Sequence, residues 1–259
     1  MASQAETLSP FSRESGSPEP KSTALATLDP RVRGGTYGEY RGKLETYFDQ
    51  TASKAWEQLT SDAPVSGIRA TVRAGRTEMR DTLLYWLPAD MTGLRLLDAG
   101  CGTGALAVEA AERGAEVVAI DVAGSLVEIA RKRAPKGLNI DWRVGDMLDP
   151  ALGRFDHVVA MDSLIHYKAF DIVDVLRGLA DRTSGSMVFT FAPQTPLLMV
   201  ALGMGRLFPR SDRSPAIIPV RERLIRTLIR NALPAARLGR DRKVSGGFYT
   251  SHALEVLLG

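Results

Sequence analysis

Short apolar runs alternate with amphipathic stretches along most of the chain, beginning near residue 94. Runs rich in Val, Ile, Leu and Phe predict β-strands at Leu94–Leu97, Glu116–Ile120, Asn139–Val144, His157–Met161 and Ser186–Phe191. Between these runs, apolar residues at helical spacing predict helices over 105–113, 125–133 and 170–182. Since strand, helix and strand in this rhythm build parallel β-α-β units, the pattern predicts a doubly wound α/β sheet with helices on both faces.

The C-terminal part of the chain departs from this rhythm. Residues 192–220 contain five prolines and form a long insert after the fifth predicted strand. A predicted helix follows over 221–231, and two further strands are predicted over 237–244 and 248–257. Gly246 and Gly247 lie between these two strands and favour a tight hairpin. We therefore expect the last strand to be antiparallel to its neighbour.

The N-terminal part is polar at first and then helical. Residues 1–35 are rich in Ser, Thr, Pro, Glu and Ala, which predicts a disordered tail because such a segment buries little apolar surface. Residues 37–60 show helical spacing of aromatic and leucine side chains, and a second amphipathic helix is predicted to begin after Pro64 and to end at Pro88. Its polar side carries Arg69, Arg73, Arg76 and Arg80. We therefore divide the chain into a tail (1–35), a helical N-terminal arm (36–90) and an α/β domain (91–259).

Composition narrows the possible function classes. The chain has 259 residues, 44% of them hydrophobic, with one cysteine and three histidines. A single cysteine excludes an internal disulfide framework and a cysteine-rich zinc module, and the histidines lie far apart, so we predict no protein-bound metal. No apolar stretch reaches the roughly 18 residues that a membrane-spanning helix needs, and no secretory signal is apparent. We therefore expect a cytoplasmic protein.

The formal net charge is only +3, but the positive charge is concentrated in one region. Residues 193–244 contain eleven Lys or Arg residues against three Asp or Glu residues, an excess of eight. Such a cluster favours an anionic partner, such as nucleic acid, an acidic membrane surface or a ligand that bears carboxylates. The alternative is a solvated, Arg-rich helix surface.

A glycine-rich loop follows the first predicted strand, within Leu97–Ala105. Glycines at a strand-to-helix turn allow the backbone to bend tightly and a ligand to approach closely. Gly100, Gly102 and Ala105 also satisfy the dinucleotide-binding pattern. Asp121, at the end of the second strand, is suited to accept hydrogen bonds from the ribose hydroxyls of such a ligand. The loop therefore indicates an adenosine-containing ligand, with NAD and S-adenosylmethionine both open.

Further acidic residues, near the ends of the first, third and fourth predicted strands, favour S-adenosylmethionine over NAD. The loop is preceded by Asp98, the third strand is followed by Asp146 and Met147, and the fourth strand lies in the motif Phe155–Asp162. In this order the motifs resemble class I methyltransferases, which have a Rossmann-like fold. An acid beside the loop opposes a pyrophosphate but can support the amino group of a methionine moiety. The resemblance implies S-adenosylmethionine as co-substrate and as its contacts Asp98, Gly100, Cys101, Gly102, Gly104, Asp121, Val122, Asp146, Met147 and Met161. An NAD-dependent dehydrogenase is the alternative.

A narrower resemblance concerns the arm and the strand ends. Residues 47–56 and 68–76 of the arm, 162–167 after the fourth strand, 191–196 after the fifth, and the later 205–209 and 248–249 are similar to magnesium-protoporphyrin IX O-methyltransferases. The resemblance covers the chain from about Tyr37 to its end. It implies methyl transfer to a propionate carboxylate of magnesium protoporphyrin IX, giving the monomethyl ester in chlorophyll or bacteriochlorophyll biosynthesis. It also implies a partner, the large porphyrin-binding subunit of magnesium chelatase.

The insert offers chemistry that suits a flat apolar disc with acidic arms. Leu198 and Met199 belong to an apolar stretch, and Arg206 and Arg210 follow it. We predict that these four residues, together with Tyr40 of the arm, bind the porphyrin. The alternative is that the apolar stretch forms a helix of the core.

His166 and Tyr47 are the predicted catalytic residues. His166 follows the carboxyl end of the fourth strand, where doubly wound folds bind ligands, and the matching His and Tyr of the resembled family affect activity. A propionate is already ionised at neutral pH, so we expect these side chains to orient it by hydrogen bonds. Two other roles stay open for His166, namely general base for a protonated fraction and axial ligand of the magnesium in the substrate. His157 and His252 are predicted to be structural.

Two further function classes stay open. One is a methyltransferase for another small molecule or for RNA, although we predict no nucleic-acid partner. The other is a non-catalytic module that keeps the cofactor fold and delivers the porphyrin to a partner. Peripheral association with a photosynthetic membrane is a further expectation from the basic region.

Overall fold

The computed structural model describes residues 37–47, 60, 67–196, 198–199 and 217–259. The predicted tail, Arg206, Arg210 and most of the insert lie outside these residues, as does the side chain of Tyr40. The predicted arm and α/β domain belong to one unit that spans residues 35–259. The boundary at residue 90 stays a prediction.

Seven strands form one mixed sheet, which confirms the predicted doubly wound architecture. The strand order is β3-β2-β1-β4-β5-β7-β6. Strands β1 to β5 pair in parallel, whereas β7 pairs antiparallel with both β5 and β6. The order reverses between β1 and β4, so this sheet has its topological switch point there. The strands are β1 (Arg95–Ala99), β2 (Glu116–Asp121), β3 (Ile140–Val144), β4 (Phe155–Ala160), β5 (Thr183–Phe191), β6 (Arg237–Gly246) and β7 (Tyr249–Leu257).

Six α-helices with defined bounds accompany the strands in the described residues. The helix α2 ends at Trp86, two residues before Pro88, as predicted, and its C-terminal half buries Met79, Leu83 and Leu84 at helical spacing. It packs against β6 and β7. None of the helices in the described residues is long and apolar enough to cross a membrane. The helices are α1 (Tyr37–Tyr47), α2 (Gly67–Trp86), α3 (Ala105–Glu112), α4 (Gly124–Arg133), α5 (Ala169–Ala180) and α6 (Glu222–Ala232).

Both faces of the sheet are buried, each against its own apolar cluster. Successive residues of a strand point to opposite faces, so neighbours in the sequence enter different clusters. Leu97 packs in one cluster with α5 and α6, and Leu96 packs in the other with α2 and α3. Burial on both faces explains why the central strands read as continuous apolar runs rather than as an alternating pattern.

Candidate active site

A large open cleft lies at the carboxyl ends of the central strands, beside the switch point. Its empty volume, which includes space open to solvent, is about 1190 Å³. The walls come from the loop after β1, the ends of β2 and β4, the turn after β3, and helices α1 and α2. Their predicted members are Asp98, Gly100, Cys101, Gly102, Asp121, Val122, Met147, Met161 and His166.

Two glycines show why the loop after β1 needs this residue type. Gly104 has a φ of +81°, and a Cβ atom there would lie 2.4 Å from the ring of Trp142. Gly102 has a φ of +54°, but a Cβ atom there would meet nothing within 4 Å. Gly104 therefore allows close packing of the loop against the protein, whereas Gly102 allows a left-handed turn whose outer side is open. Gly104 is absent from the cleft walls, and its predicted contact with the cofactor stays a prediction.

Asp121 holds the same loop in place. One of its carboxylate oxygens accepts a hydrogen bond from the backbone N–H of Gly102 at 2.8 Å, and the other accepts from that of Ala123 at 2.9 Å. Each carboxylate oxygen can accept a second hydrogen bond. Asp121 lines the cleft, so the predicted contact with ribose hydroxyls is compatible with these bonds and stays a prediction.

Asp98 is a buried acid in the wall of the cleft. Its side chain is 1% exposed, and its Oδ2 atom has no hydrogen-bond partner in the described part of the chain. Burial, and then the charge of Asp121, raises the pKa of Asp98 to about 7. A cationic group in the cleft would satisfy the oxygen and favour the ionised form. The amino group of S-adenosylmethionine is such a cation.

Cys101 lies in the loop, but its chemistry does not suit a nucleophile. Burial, followed by the charges of Asp121 and Asp98, raises the pKa of its thiol well above the usual range. Since the thiolate is the reactive form, the thiol stays protonated and unreactive at neutral pH. Cys101 lines the cleft, and its predicted contact with the cofactor stays a prediction.

Asp146 faces the arm in this structure. Its carboxylate accepts hydrogen bonds from the hydroxyl of Tyr37 at 2.7 Å and from Arg41 at 3.3 Å. The Tyr37 ring also stacks on Tyr167, with 5.3 Å between ring centroids. The flanking Gly145 and Met147 line the cleft, whereas Asp146 is not among its wall residues. The structure therefore assigns Asp146 to anchoring α1, and its predicted contact with the adenine amine stays a prediction.

The two predicted catalytic residues are placed differently. His166 ends a short 3₁₀ turn, Leu164–His166, just after β4; it is 7% exposed and lines the cleft. Tyr47 is the last residue of α1 and is half-buried, and the cleft residue that α1 contributes is Leu44, one turn earlier. The geometry thus brings His166 into the cleft, whereas Tyr47 is not among the wall residues. The roles of both residues stay predictions.

Two of the porphyrin contacts predicted in the insert, Leu198 and Met199, belong to the described residues. Leu198 is half-buried and Met199 is 45% exposed, and neither lines the cleft. Their predicted role therefore has no support from the described geometry, and Arg206, Arg210 and the side chain of Tyr40 fall outside it.

Sequence reasoning missed Asp162, which is the centre of a buried polar cluster in the cleft. Its φ is +52°, a left-handed conformation that non-glycine residues adopt infrequently and that is enriched at functional sites. Its carboxylate pairs with Arg76 at 2.7 Å and accepts hydrogen bonds from the hydroxyl of Tyr249 at 3.0 and 3.1 Å. Ser251 and Thr190 add hydroxyl contacts at 3.2 Å. The available signal was an acid two residues after a buried strand.

Sequence reasoning also left the arginines of α2 without a role. Arg73, Arg76 and Arg80 all line the cleft. The sequence shows them as the polar side of an amphipathic helix, which is usually a solvated surface. Only the packing of α2 beside the switch point turns that side toward a site.

His157 and His252 have local partners outside the cleft. Nδ1 of His157 lies 2.9 Å from the Ser186 hydroxyl, and burial lowers the pKa of this imidazole. Nε2 of His252 lies 3.0 Å from Asp241, in a cluster with Glu222. Arg226 pairs with both acids at 2.9 Å, so its guanidinium already compensates their negative charge.

Comparison with known proteins places this geometry in a family. A model described as a methyltransferase domain matches residues 96–184, and a model of the magnesium-protoporphyrin IX methyltransferase C-terminus matches residues 160–257. The chain is 50% identical to a magnesium-protoporphyrin O-methyltransferase of Rhodobacter capsulatus over 222 residues, which cover 85% of this chain and 97% of that protein. The chain belongs to the magnesium-protoporphyrin O-methyltransferase family.

Other members of this family show the same relationship. The magnesium-protoporphyrin O-methyltransferase of Synechocystis sp. is 30% identical over 220 residues, covering 83% of this chain and 94% of that protein. The crystal structure of magnesium protoporphyrin IX methyltransferase from Synechocystis PCC 6803 with bound SAH superposes with a TM-score of 0.75 and 27% identity, covering 84% and 99% of the two chains. Both resemblances noted in the sequence, to class I methyltransferases and to this family, are confirmed.

Proposed function

We propose that the protein transfers a methyl group from S-adenosylmethionine to a propionate carboxylate of magnesium protoporphyrin IX, giving the monomethyl ester. The observation that carries the proposal is the cleft at the switch point. There, a glycine loop and the buried Asp98 line an open cleft. The chain that carries this cleft matches a family member over 97% of that relative's length. The pathway is chlorophyll or bacteriochlorophyll biosynthesis.

The donor site is built from acids and from the turn of the loop. Asp98 offers an oxygen with no partner among the described residues, which suits the ammonium group of S-adenosylmethionine. Asp121 fixes the loop by accepting hydrogen bonds from the backbone N–H groups of Gly102 and Ala123, and it lines the same cleft. S-adenosylmethionine, when bound, supplies a methyl group activated by its sulfonium.

The reaction needs positioning more than proton removal. A propionate titrates at about pH 4.3, so it is already an anion at neutral pH and has little proton to lose. Nucleophile and sulfonium carry opposite charges that neutralise each other in the transition state, so strong solvation of either charge would slow the step. Correct placement of reactants is worth up to about 7–11 kcal/mol. His166, held at the end of β4 by a short turn, is suited to orient a carboxylate in the cleft.

The direct test is product analysis with both substrates. Incubation of the protein with labelled S-adenosylmethionine and magnesium protoporphyrin IX is expected to give the labelled monomethyl ester, and His166→Ala to reduce its rate at least tenfold. His157→Ala is the control, because that imidazole lies outside the cleft. Porphyrin binding without turnover would support a delivery module, and methylation of a quinone precursor or RNA instead would overturn the acceptor.

We further propose that the protein receives its substrate from the porphyrin-binding subunit of magnesium chelatase, and that it is a cytoplasmic protein that can rest on a photosynthetic membrane. The exposed basic side chains of β6, Arg237, Arg242 and Lys243, support contact with an acidic surface. Co-sedimentation with the chelatase subunit and with anionic vesicles, each at low and high salt, tests both partners. Failure to bind either one removes the corresponding proposal.

A further inference from the structure

We infer that Arg73, Arg76 and Arg80 of α2 form the carboxylate-binding wall of the cleft. The inference rests on the proposed function and deepens it. It concerns residues whose placement the structure describes, and the predicted roles of Arg206 and Arg210 stay predictions. The carboxylate has two sources, a porphyrin propionate and the methionine carboxylate of S-adenosylmethionine.

The spacing and packing of α2 bring these three side chains to one wall. Residues three and four positions apart lie on the same face of a helix, and Arg73, Arg76 and Arg80 follow this spacing. The adjacent face of the helix is fixed to the core by Met79 and Leu83, both fully buried. Since α2 cannot rotate without exposing that apolar face, its arginines are held toward the cleft.

Two of the guanidinium groups are also anchored by acids. Arg76 pairs with the buried Asp162, and Nε of Arg80 lies 2.5 Å from an oxygen of Glu109. A guanidinium has five N–H donors in a rigid fork, so one group can bind more than one anion. Anchoring lowers the entropy that is lost when a ligand carboxylate binds. The side chains of Arg76 and Arg80 keep 24% and 25% of their surface exposed, so they are accessible from the cleft.

The cleft has a matching division of charge. Asp98 and Asp121 belong to the wall formed by the sheet, and the three arginines to the wall formed by α2. The ammonium and sulfonium of the donor suit the acidic wall, whereas the carboxylates of either substrate suit the basic wall. The methionine carboxylate and the two propionates of the porphyrin are all anions that this wall could bind.

The alternative is that these arginines belong to an ordinary solvated helix face. Arg69 continues the same row one turn earlier, but it is exposed and lies outside the cleft walls. It is therefore a matched control, because it has the same residue type, helix and spacing without the cleft.

The experiment compares a porphyrin whose two propionates are free with one whose propionates are esterified. Binding of magnesium protoporphyrin IX and of its dimethyl ester is measured by fluorescence quenching in the wild type, Arg73→Ala, Arg76→Lys and Arg69→Ala. If the wall holds a propionate, the preference for the diacid over the diester falls about tenfold in Arg73→Ala or Arg76→Lys. It stays unchanged in Arg69→Ala.

Calorimetry with S-adenosylmethionine on the same four proteins forms the second arm. A drop of about tenfold in its affinity in Arg73→Ala or Arg76→Lys, with the porphyrin preference unchanged, assigns the wall to the methionine carboxylate. If neither preference nor affinity changes, or if Arg69→Ala changes them equally, the inference is wrong.

The design keeps this failure separate from failure of the proposed function. The proposed function fails if the wild type does not methylate the porphyrin, whereas the inference fails if an active wild type and its variants recognise carboxylates equally. Arg76→Lys keeps a cation beside Asp162, and Arg73→Ala leaves the pairs of Arg76 and Arg80 intact. Melting temperatures of all four proteins confirm that each is folded.

Discussion

At the scale of single residues, the ionisation of Asp98 depends on what enters the cleft. Its pKa of about 7 results first from burial and then from the neighbouring charge of Asp121. An ammonium group beside it would lower that pKa by favouring the charged form. Ligand binding and proton release are therefore coupled at this one carboxyl group.

The first prediction uses that coupling. With the pKa near 7 before binding and lower afterwards, S-adenosylmethionine binding at pH 7 should release a fraction of a proton. Calorimetric binding heats should therefore vary with the ionisation enthalpy of the buffer. Asp98→Asn removes the titrating group, so its heats should not vary in this way and its affinity should fall. Equal buffer dependence in wild type and variant would contradict the assignment of Asp98.

The stability of the ligand-free protein gives a second prediction for the same residue. A carboxyl group whose folded pKa lies above its unfolded value of 3.8 binds more protons in the folded state. Its contribution to the free energy of unfolding is therefore highest below about pH 4 and falls as pH rises to about 7. Asp98→Asn should gain stability relative to the wild type across this window, measured by urea unfolding. A constant difference between the two proteins would contradict the raised pKa.

A third prediction concerns Asp162, whose carboxylate collects several buried donors. Asp162→Ala removes the acceptor for Arg76, Tyr249 and Ser251 together. Breaking a buried ion pair costs about 3–5 kcal/mol, and the partial exposure of Arg76 places the expected loss near the lower value. Tyr249→Phe removes one donor only and should cost about 1 kcal/mol. Urea unfolding of both variants tests this, and equal losses would mean that Asp162 is not the centre of the cluster.

At the scale of elements, α2 and the β6–β7 hairpin depend on one close approach. Gly75 of α2 packs on Tyr249, and a Cβ atom at this position would lie 2.4 Å from the tyrosine ring. Tyr249 in turn contacts Asp162, so the same side chain links helix, hairpin and cleft. The orientation of α2, and with it the direction of its arginines, therefore depends on a residue that has no side chain.

The fourth prediction compares this glycine with one that has free space. An alanine normally stabilises a helix interior by about 1 kcal/mol relative to glycine. Gly42 of α1 has nothing within 4 Å of an added Cβ atom, so Gly42→Ala should be stabilising. Gly75→Ala should instead destabilise by about 1–3 kcal/mol, because the ring of Tyr249 must move. Thermal unfolding measures both changes, and a gain in both variants would show that the contact is not tight.

At the scale of the whole molecule, the sequence predicted the sheet well because its central strands are buried on both faces. The order of strands and helices, the glycine loop and the hairpin all follow from apolar runs and turn residues that act locally. Asp162 and the α2 arginines were not predicted as site residues, because their roles depend on packing between segments more than 80 residues apart. The insert was expected to supply the carboxylate contacts because charge counts show how many arginines a region has, not which wall they reach.

The fifth prediction follows from the way the cleft joins distant parts of the molecule. Its walls include Leu44 of α1, three arginines of α2 and the loop after β1, so donor binding should stabilise the helices together with the loop. We expect saturating S-adenosylmethionine to slow amide hydrogen exchange in 37–47 and 67–86 as well as in 98–105. Helix α6 contributes no residue to these walls and serves as the internal control. Opening reactions that expose the cleft become rarer when a ligand bridges its walls, and at 100 times Kd the gain is about 2.7 kcal/mol. Protection confined to 98–105 would show that the donor binds the loop alone and that the helices close the cleft independently of it.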